Sequence, residues 1–347
     1  MVTGNYRAHA TAWTDSDVAR NKIVVYDLYY DSRRSSLLGK AIKYLMLQFR
    51  LAVNALLALD RDTDVTLVYS ATTLIVPVIV LKLARRRVIL SIMGFHSTSA
   101  RFAINRHVSK LLHVIESIVF MFSDVLVVES ALVMSDPKLR RFKHKTFELP
   151  PFVDLDFFSP RQLPSTRHNV VGYIGRLSRE KGVLDFLEAI PVLLGKFDDV
   201  SFLIIGNGPL FNEVENVARN CSRVSFPGWM NPTRLPACLN DLKLLVLPSY
   251  TEGLPNVLLE ALACKTPVLA TAVGGIPSVI KDGITGFILP DNEPAVIVEH
   301  VSKCLFYSDT NEIAERAYEL VRQEYGYSKV VKRYKWIFER FADKRAQ

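Results

Sequence analysis

The chain is predicted to be an α/β protein, with two doubly wound domains facing a central cleft. Three observations carry that expectation. Short apolar runs alternate with helical patterns along almost the whole chain, the rhythm of parallel sheets covered by helices on both faces. The segment Pro150-Pro-Phe-Val-Asp-Leu-Asp-Phe-Phe-Ser-Pro160 holds three prolines and little periodicity, so it reads as a linker. The 347 residues suffice for two domains of ordinary size, and 49% of them are hydrophobic, enough for a core in each.

In the first half, strands read at Lys22–Tyr26, Val65–Tyr69, Val88–Ile92 and Asp124–Val128. Helices read at Leu37–Leu59, Thr72–Ala84, Ala103–Phe122 and Leu132–Arg141. After the linker, strands read at Val170–Ile174, Ser201–Ile205, Arg223–Phe226, Leu242–Leu247, Pro267–Ala270 and Gly286–Leu289, with helices between them. The tail Asn311–Lys344 is helical with a break near Tyr325–Ser328. The expected division is a domain over 1–150, a linker over 151–168, a domain over 169–310, and C-terminal helices over 311–347 that pack back toward the first domain.

Composition narrows the function classes. No apolar run reaches the roughly 18 residues that span a bilayer, and Met1 to Asn21 is polar without a signal-peptide core. Cysteines 221, 238, 264 and 304 lack metal-ligand spacing, so buried reduced thiols and no metal are expected. The first 150 residues hold 21 Lys+Arg against 12 Asp+Glu, a charge of +9; the rest hold 22 against 23. Basic clusters stand at Arg33-Arg34, Arg85–Arg87 and Arg140-Arg141. That asymmetry implies an anionic partner for the first domain, such as a membrane surface or a phosphate-linked acceptor, or ordinary solvated surface. No motif interleaves the basic residues with aromatics, so nucleic acid is not expected. The expected location is the cytoplasm, with peripheral contact to the inner face of the cell membrane.

The chemistry-bearing residues of the second half all follow strands, and open parallel sheets bind ligands beyond the carboxyl ends of their strands. In Tyr250-Thr-Glu-Gly-Leu-Pro-Asn-Val-Leu-Leu-Glu-Ala-Leu262, Glu252 and Glu260 are eight positions apart. Glu252 reads as a loop residue. Glu260 reads as an exposed cleft acid on the helix that Pro255 starts, with first-turn N–H groups between them able to hold an anion. Sugar hydroxyls, diphosphate and ribose hydroxyls follow the same order in a nucleotide-sugar. Two acids at a helix start are otherwise a common surface feature. Gly175-Arg-Leu-Ser-Arg-Glu-Lys-Gly182 places Arg176 and Lys181 at a strand end, where a guanidinium fork and an ammonium can hold a diphosphate. Gly206 and Gly208 in Ile205-Gly-Asn-Gly-Pro209 allow close backbone approach, though the dinucleotide pattern is incomplete. Gly228 and Trp229 in Phe226-Pro-Gly-Trp-Met230 offer a place for a base, or a plain turn. Gly274 and Gly275 open a neighbouring strand-to-helix turn.

Together these strand-end elements resemble the retaining glycosyltransferases of family 4, the glycosyl transferases group 1, which have the GT-B fold. Leu247-Pro-Ser249, Gly274-Gly-Ile-Pro277 and Asp282-Gly-Ile-Thr-Gly-Phe287 share in the likeness, as does Val153–Pro160 of the linker. The resemblance implies sugar transfer from a UDP- or GDP-linked donor, with retention and without a metal or other cofactor, to a glycan or lipid-linked acceptor. It implies charge stabilisation by Arg176 and Lys181, sugar contact by Glu252 and ribose contact by Glu260. Gly175, Gly206, Gly208, Gly228, Trp229, Gly253, Leu254, Pro255, Asn256, Gly274 and Gly275 would line the donor site. The first half departs from the pattern. The opening strand and its Gly-rich turn are missing or remodelled, and Met93-Gly94 replaces the usual His-Gly. His96 either takes over the sugar contact or lies at the surface. A nucleotide-sugar epimerase, a phosphorylase of the same fold, or a non-catalytic donor-fold scaffold remain as alternatives.

Overall fold

The computed structural model describes residues 37–58, 65–69 and 72–342. The expected strand Lys22–Tyr26, and with it the opening acceptor-side element, lies outside these residues. The described chain forms two parallel sheets, one before and one after the linker.

The N-terminal sheet has the order β1-β2-β3-β4: Val65–Tyr69, Arg87–Ile92, Val125–Val128 and Thr146–Glu148. Period-2 alternation splits its side chains between two cores. Val88, Leu90, Ile92, Leu126 and Val128 pack with Val78 and Leu81 of α2 (Ile75–Leu83) and with Val119 and Phe120 of α4 (Arg106–Phe122). Ile89, Val125 and Val127 point the other way, against Ile337, Tyr334 and Phe338 of the last helix, α13 (Tyr327–Ala342). The C-terminal helix thus covers the face of the N-terminal sheet opposite α2 and α4. The chain crosses between domains at paired points, where Val153 N–H donates to Tyr325 O at 2.9 Å and Val153 bridges Gly326.

The C-terminal sheet has the order β10-β9-β8-β5-β6-β7, built from Val170–Ile174 (β5), Ser201–Ile205 (β6), Val224–Gly228 (β7), Leu244–Leu247 (β8), Val268–Thr271 (β9) and Phe287–Leu289 (β10). Strands run outward from β5 in both directions, so the chain reverses between β5 and β8. In a doubly wound sheet that switch point opens a crevice beyond the strand ends. The loops after β5 and β8 carry Arg176, Lys181 and Glu252. Layers on both faces bury Phe186, Phe202 and Ile297 on one side and Leu258, Leu262 and Val321 on the other. Arg167 ties the linker down inside protein, donating to Leu242 O at 2.9 Å and Cys264 O at 2.8 Å.

Several expected elements change. The helix expected over Ala103–Phe122 starts only at Arg106 (α4), and a separate helix that was not expected, α3 (His96–Ala103), precedes it across Ile104 and Asn105. The Asn105 side chain caps α4 by accepting the Val108 N–H at 2.9 Å. The helix expected over Thr72–Ala84 starts only at Ile75, because Thr72 and Thr73 turn to bond His96, Tyr44 and Gln48. Leu132–Arg141 becomes a short turn of helix, α5 (Ala131–Met134), and a 3-10 helix from Pro137 to Lys145, since proline cannot continue the α-helical ladder. The strand Thr146–Glu148 follows it and was not anticipated. All four thiols are free; Cys264 and Cys304 are buried, but Cys221 and Cys238 are only half-buried.

Candidate active site

The loop after β5 is shaped by close backbone approaches. Gly182 is left-handed at φ +67°, and a Cβ there would lie 1.8 Å from Pro248 O. The two switch-point loops therefore touch only because residue 182 lacks a side chain. Gly206 and Gly208 have a related task. A Cβ on the first would lie 1.9 Å from Gly175 O, and one on the second 2.3 Å from Leu177 O. Their space is taken by the neighbouring loop, which gives both a packing role. A Cβ on Gly175 would meet only ordinary contact with Tyr173. Gly228 is left-handed at φ +75°, and its carbonyl accepts the Gly206 N–H at 2.9 Å. Trp229 beyond it is 61% exposed.

Lys181 and Glu252 meet across the switch point. Lys181 Nζ lies 2.6 Å from Glu252 Oε2, and Ser249 Oγ donates to Glu252 Oε1 at 2.7 Å. Arg176, in the same loop after β5, is exposed, its guanidinium without an ion pair among the described residues. The site thus pairs one cation with the acid and leaves a second cation available to an anion.

Glu260 is the fifth residue of α9 (Asn256–Ala263), with Pro255 as the extended cap rather than the first helical residue. It is not the exposed acid expected: only 6% of its surface is accessible. Every residue from Leu258 to Ala263 is buried, so the helix is enclosed on all sides and Glu260 with it. No described residue bonds that carboxyl group, and burial pushes its pKa up to about 7. Asn256 opens the helix half-buried, while Gly253 and Leu254 of the preceding loop are buried. Gly274 is left-handed at φ +57°; a Cβ there would meet Glu252 O at 2.1 Å, and one on Gly275 would meet Gly253 O at 2.8 Å. Both glycines seat the turn after β9 on the loop after β8.

The N-terminal domain closes the other side. His96 is the first residue of α3, which packs against the turn Arg179–Lys181. Phe102 stacks on Tyr250 across the cleft at 5.2 Å between ring centroids. His96 Nδ1 lies 2.6 Å from Thr72 Oγ1, which donates its own hydrogen to Glu116 Oε1 at 2.9 Å. A hydroxyl has one hydrogen, so Nδ1–H must be the donor to it, leaving Nε2 as an acceptor. His96 is exposed at the start of the helix, yet desolvation by its surroundings lowers the imidazole pKa, against the pull of Glu116. Glu116 is fully buried, and the N–H and hydroxyl of Ser97 also serve it.

Three parts of this site were not legible in the chain: the Lys181–Glu252 pair, the Thr72–Glu116–Ser97 network, and Glu129. Glu129 follows β3, and its Oε2 accepts the Leu254 N–H at 2.6 Å. Its position at a strand end was the one available signal.

Comparison with known proteins agrees with this architecture. Residues 156–320 match the family described as glycosyl transferases group 1. The alpha-D-kanosaminyltransferase of Streptomyces kanamyceticus is 34% identical over 153 residues, 43% of this chain and 39% of that protein. The N-acetyl-alpha-D-glucosaminyl L-malate synthase of Bacillus anthracis is 29% identical over 178 residues, 50% of this chain and 46% of that protein. The chain thus spans less than half the length of these two curated relatives. Among solved structures, the sucrose-phosphate synthase of Thermosynechococcus elongatus superposes with a TM-score of 0.71 at 18% identity, over 91% of this chain and 82% of that one. Anabaena Alr3699/HepE, in complex with UDP and glucose, gives 0.69 at 19% identity, over 94% and 88%. The fold is GT-B.

Proposed function

We propose that the protein is a retaining glycosyltransferase that moves a sugar from a nucleotide diphosphate sugar, UDP- or GDP-linked, to a glycan or lipid-linked acceptor. The observation that carries this reading is the Lys181–Glu252 pair at the switch point, with the exposed Arg176 in the same loop after β5 and a Glu260 carboxyl group that no described residue bonds. Arg176 and Lys181 stabilise negative charge on the departing diphosphate, the electrostatic task that usually dominates catalysis. With two cations there, the reading needs no metal. Glu252 holds hydroxyls of the donor sugar and Glu260 those of the ribose. The glycosidic bond to phosphate breaks, the acceptor oxygen bonds the anomeric carbon on the same face, and the acceptor proton passes to the departing phosphate oxygen. His96, with Nε2 as an acceptor, contacts the donor sugar from the N-terminal side.

The acceptor belongs with the basic N-terminal domain. No helix among the described residues is long and apolar enough to cross a membrane. The helix α1 (Leu37–Ala58) instead exposes a stripe of Ile42, Leu45, Met46, Phe49, Val53 and Leu56. Together with exposed Arg50, and Arg106 and Lys110 of α4, this stripe supports docking on an anionic bilayer surface, by insertion as well as by charge.

A panel of UDP- and GDP-sugars, scored for binding and for slow donor hydrolysis, tests the function. Slow hydrolysis with release of the nucleoside diphosphate is expected for one donor. Donor-alone conversion to an epimer, or binding of none, overturns it.

A further inference from the structure

Glu129 sits at the carboxyl end of β3, on the side of the cleft opposite the donor loops, and is 5% exposed. Its Oε2 reaches across the cleft to the Leu254 N–H at 2.6 Å, while no described residue bonds its other oxygen. Leu254 lies two residues beyond Glu252, in the loop between β8 and α9. The fit is close: a Cβ on Gly253 would lie 1.9 Å from Glu129 Oε2 and 2.5 Å from Met93 O. Four titratable side chains face the carboxyl group. Glu252 and Lys181 do so from the C-terminal domain, Tyr69 from the end of β1, and Tyr334 from α13. A carboxyl group buried beside a second acid is unfavourable by itself, and one backbone hydrogen bond is little compensation.

We propose that Glu129 is an internal stand-in for the donor: its carboxyl group holds the Leu254 N–H, and the diphosphate-sugar portion of the donor displaces it, releasing the two domains from each other at that point. The inference rests on the donor-site reading given above. It follows from exclusion, since one N–H at hydrogen-bond distance serves one acceptor oxygen well. Displacement frees a carboxyl group on the acceptor side of the reacting centre. It also makes donor affinity depend on the charge of that group. Burial pushes its pKa up to about 8; Glu252 adds to the shift, while the Leu254 N–H and Lys181 oppose it. Above that pH the group is an anion facing Glu252 and an incoming diphosphate, so donor affinity falls.

The test is calorimetric titration of the full chain with UDP, GDP and their hexose conjugates at pH 7 and pH 9. It compares wild type with Glu129→Ala, Glu129→Gln and Glu260→Gln. Removing the competing acceptor in Glu129→Ala should tighten sugar-nucleotide binding at pH 7 about three- to tenfold, the worth of one hydrogen bond. Glu129→Gln keeps the volume and an acceptor oxygen. It should therefore bind like wild type at pH 7 and lose the weakening that wild type shows at pH 9. If Glu260→Gln weakens binding while Glu129→Ala leaves it unchanged or weaker, the donor site stands and displacement is overturned. If wild type binds none of the four nucleotides, the donor reading falls and displacement falls with it. Should the alanine variant fail to fold, the glutamine variant decides: a weakening at pH 9 that persists in it overturns the proposal.

Discussion

Glu260→Gln is expected to stabilise the empty protein at neutral and alkaline pH while weakening its hold on the donor. The carboxyl group is buried and without a partner among the described residues, and its pKa stands at about 7 against 4.5 for the free side chain. Below 4.5 it is protonated in folded and unfolded chains alike and carries no ionisation penalty. As pH rises toward 7 the unfolded chain ionises first, so the folded state loses stability until the folded group ionises as well. At roughly 1.4 kcal/mol per tenfold the full loss is about 3 kcal/mol, reached near pH 8. Glutamine has no such titration. Thermal unfolding should therefore coincide for the two proteins near pH 4 and separate steadily to pH 8. Domains of this size shift by roughly 2–4 °C per kcal/mol, so the variant should melt several degrees higher at pH 8. In the same protein the affinity for the sugar nucleotide should fall by about 1.5–3 kcal/mol, the worth of a hydrogen bond to a charged group. A variant no more stable than wild type at pH 8 would refute the burial argument. A variant with undiminished donor affinity would refute the ribose assignment.

Other perturbations reach the rest of the site. Arg176→Ala and Lys181→Ala should each lower the turnover number by about 10²–10³ with a smaller change in the donor Michaelis constant, because charge on the diphosphate develops in the transition state. Strong inhibition of the wild-type enzyme by EDTA would overturn the metal-free mechanism. Gly182→Ala should destabilise the fold by at least about 1–2 kcal/mol, the cost of a left-handed residue, with more from the Cβ driven against Pro248 O; denaturant unfolding at the wild-type midpoint would contradict the packing described. Cosedimentation should show binding to anionic vesicles that weakens with salt, at about 1 kcal/mol per engaged Lys or Arg. Leu45→Ser with Phe49→Ser should remove any salt-resistant remainder. Equal binding to neutral vesicles would leave the basic residues as solvated surface.

The parallel sheets could be read from the chain because their signals are local. Apolar runs such as Val170–Ile174 and Leu242–Leu247, each closed by glycine or proline, carry strand and turn within a few residues. The strand-end residues Arg176, Lys181 and Glu252 were legible for the same reason, since the carboxyl end of a parallel strand faces the crevice wherever the strand lies. Helix α3 was missed because Ser97, Thr98 and Ser99 are weak helix formers, and Glu116, nineteen residues from Ser97, anchors its first turn. The pairing of Lys181 with Glu252 joins positions 71 apart, and that of Glu129 with Leu254 joins positions 125 apart across two domains. No local pattern encodes such contacts, because they depend on how two loops settle against each other. Burial of Glu260 is also a tertiary property: an acid in the first turns of a helix looks solvated from sequence, and only the packing around the whole stretch Leu258–Ala263 encloses it. The sequence by itself determined most of the strands, though not Thr146–Glu148, and the side chains that stand at their ends. Tertiary structure alone decided which charges meet and which are stripped of water.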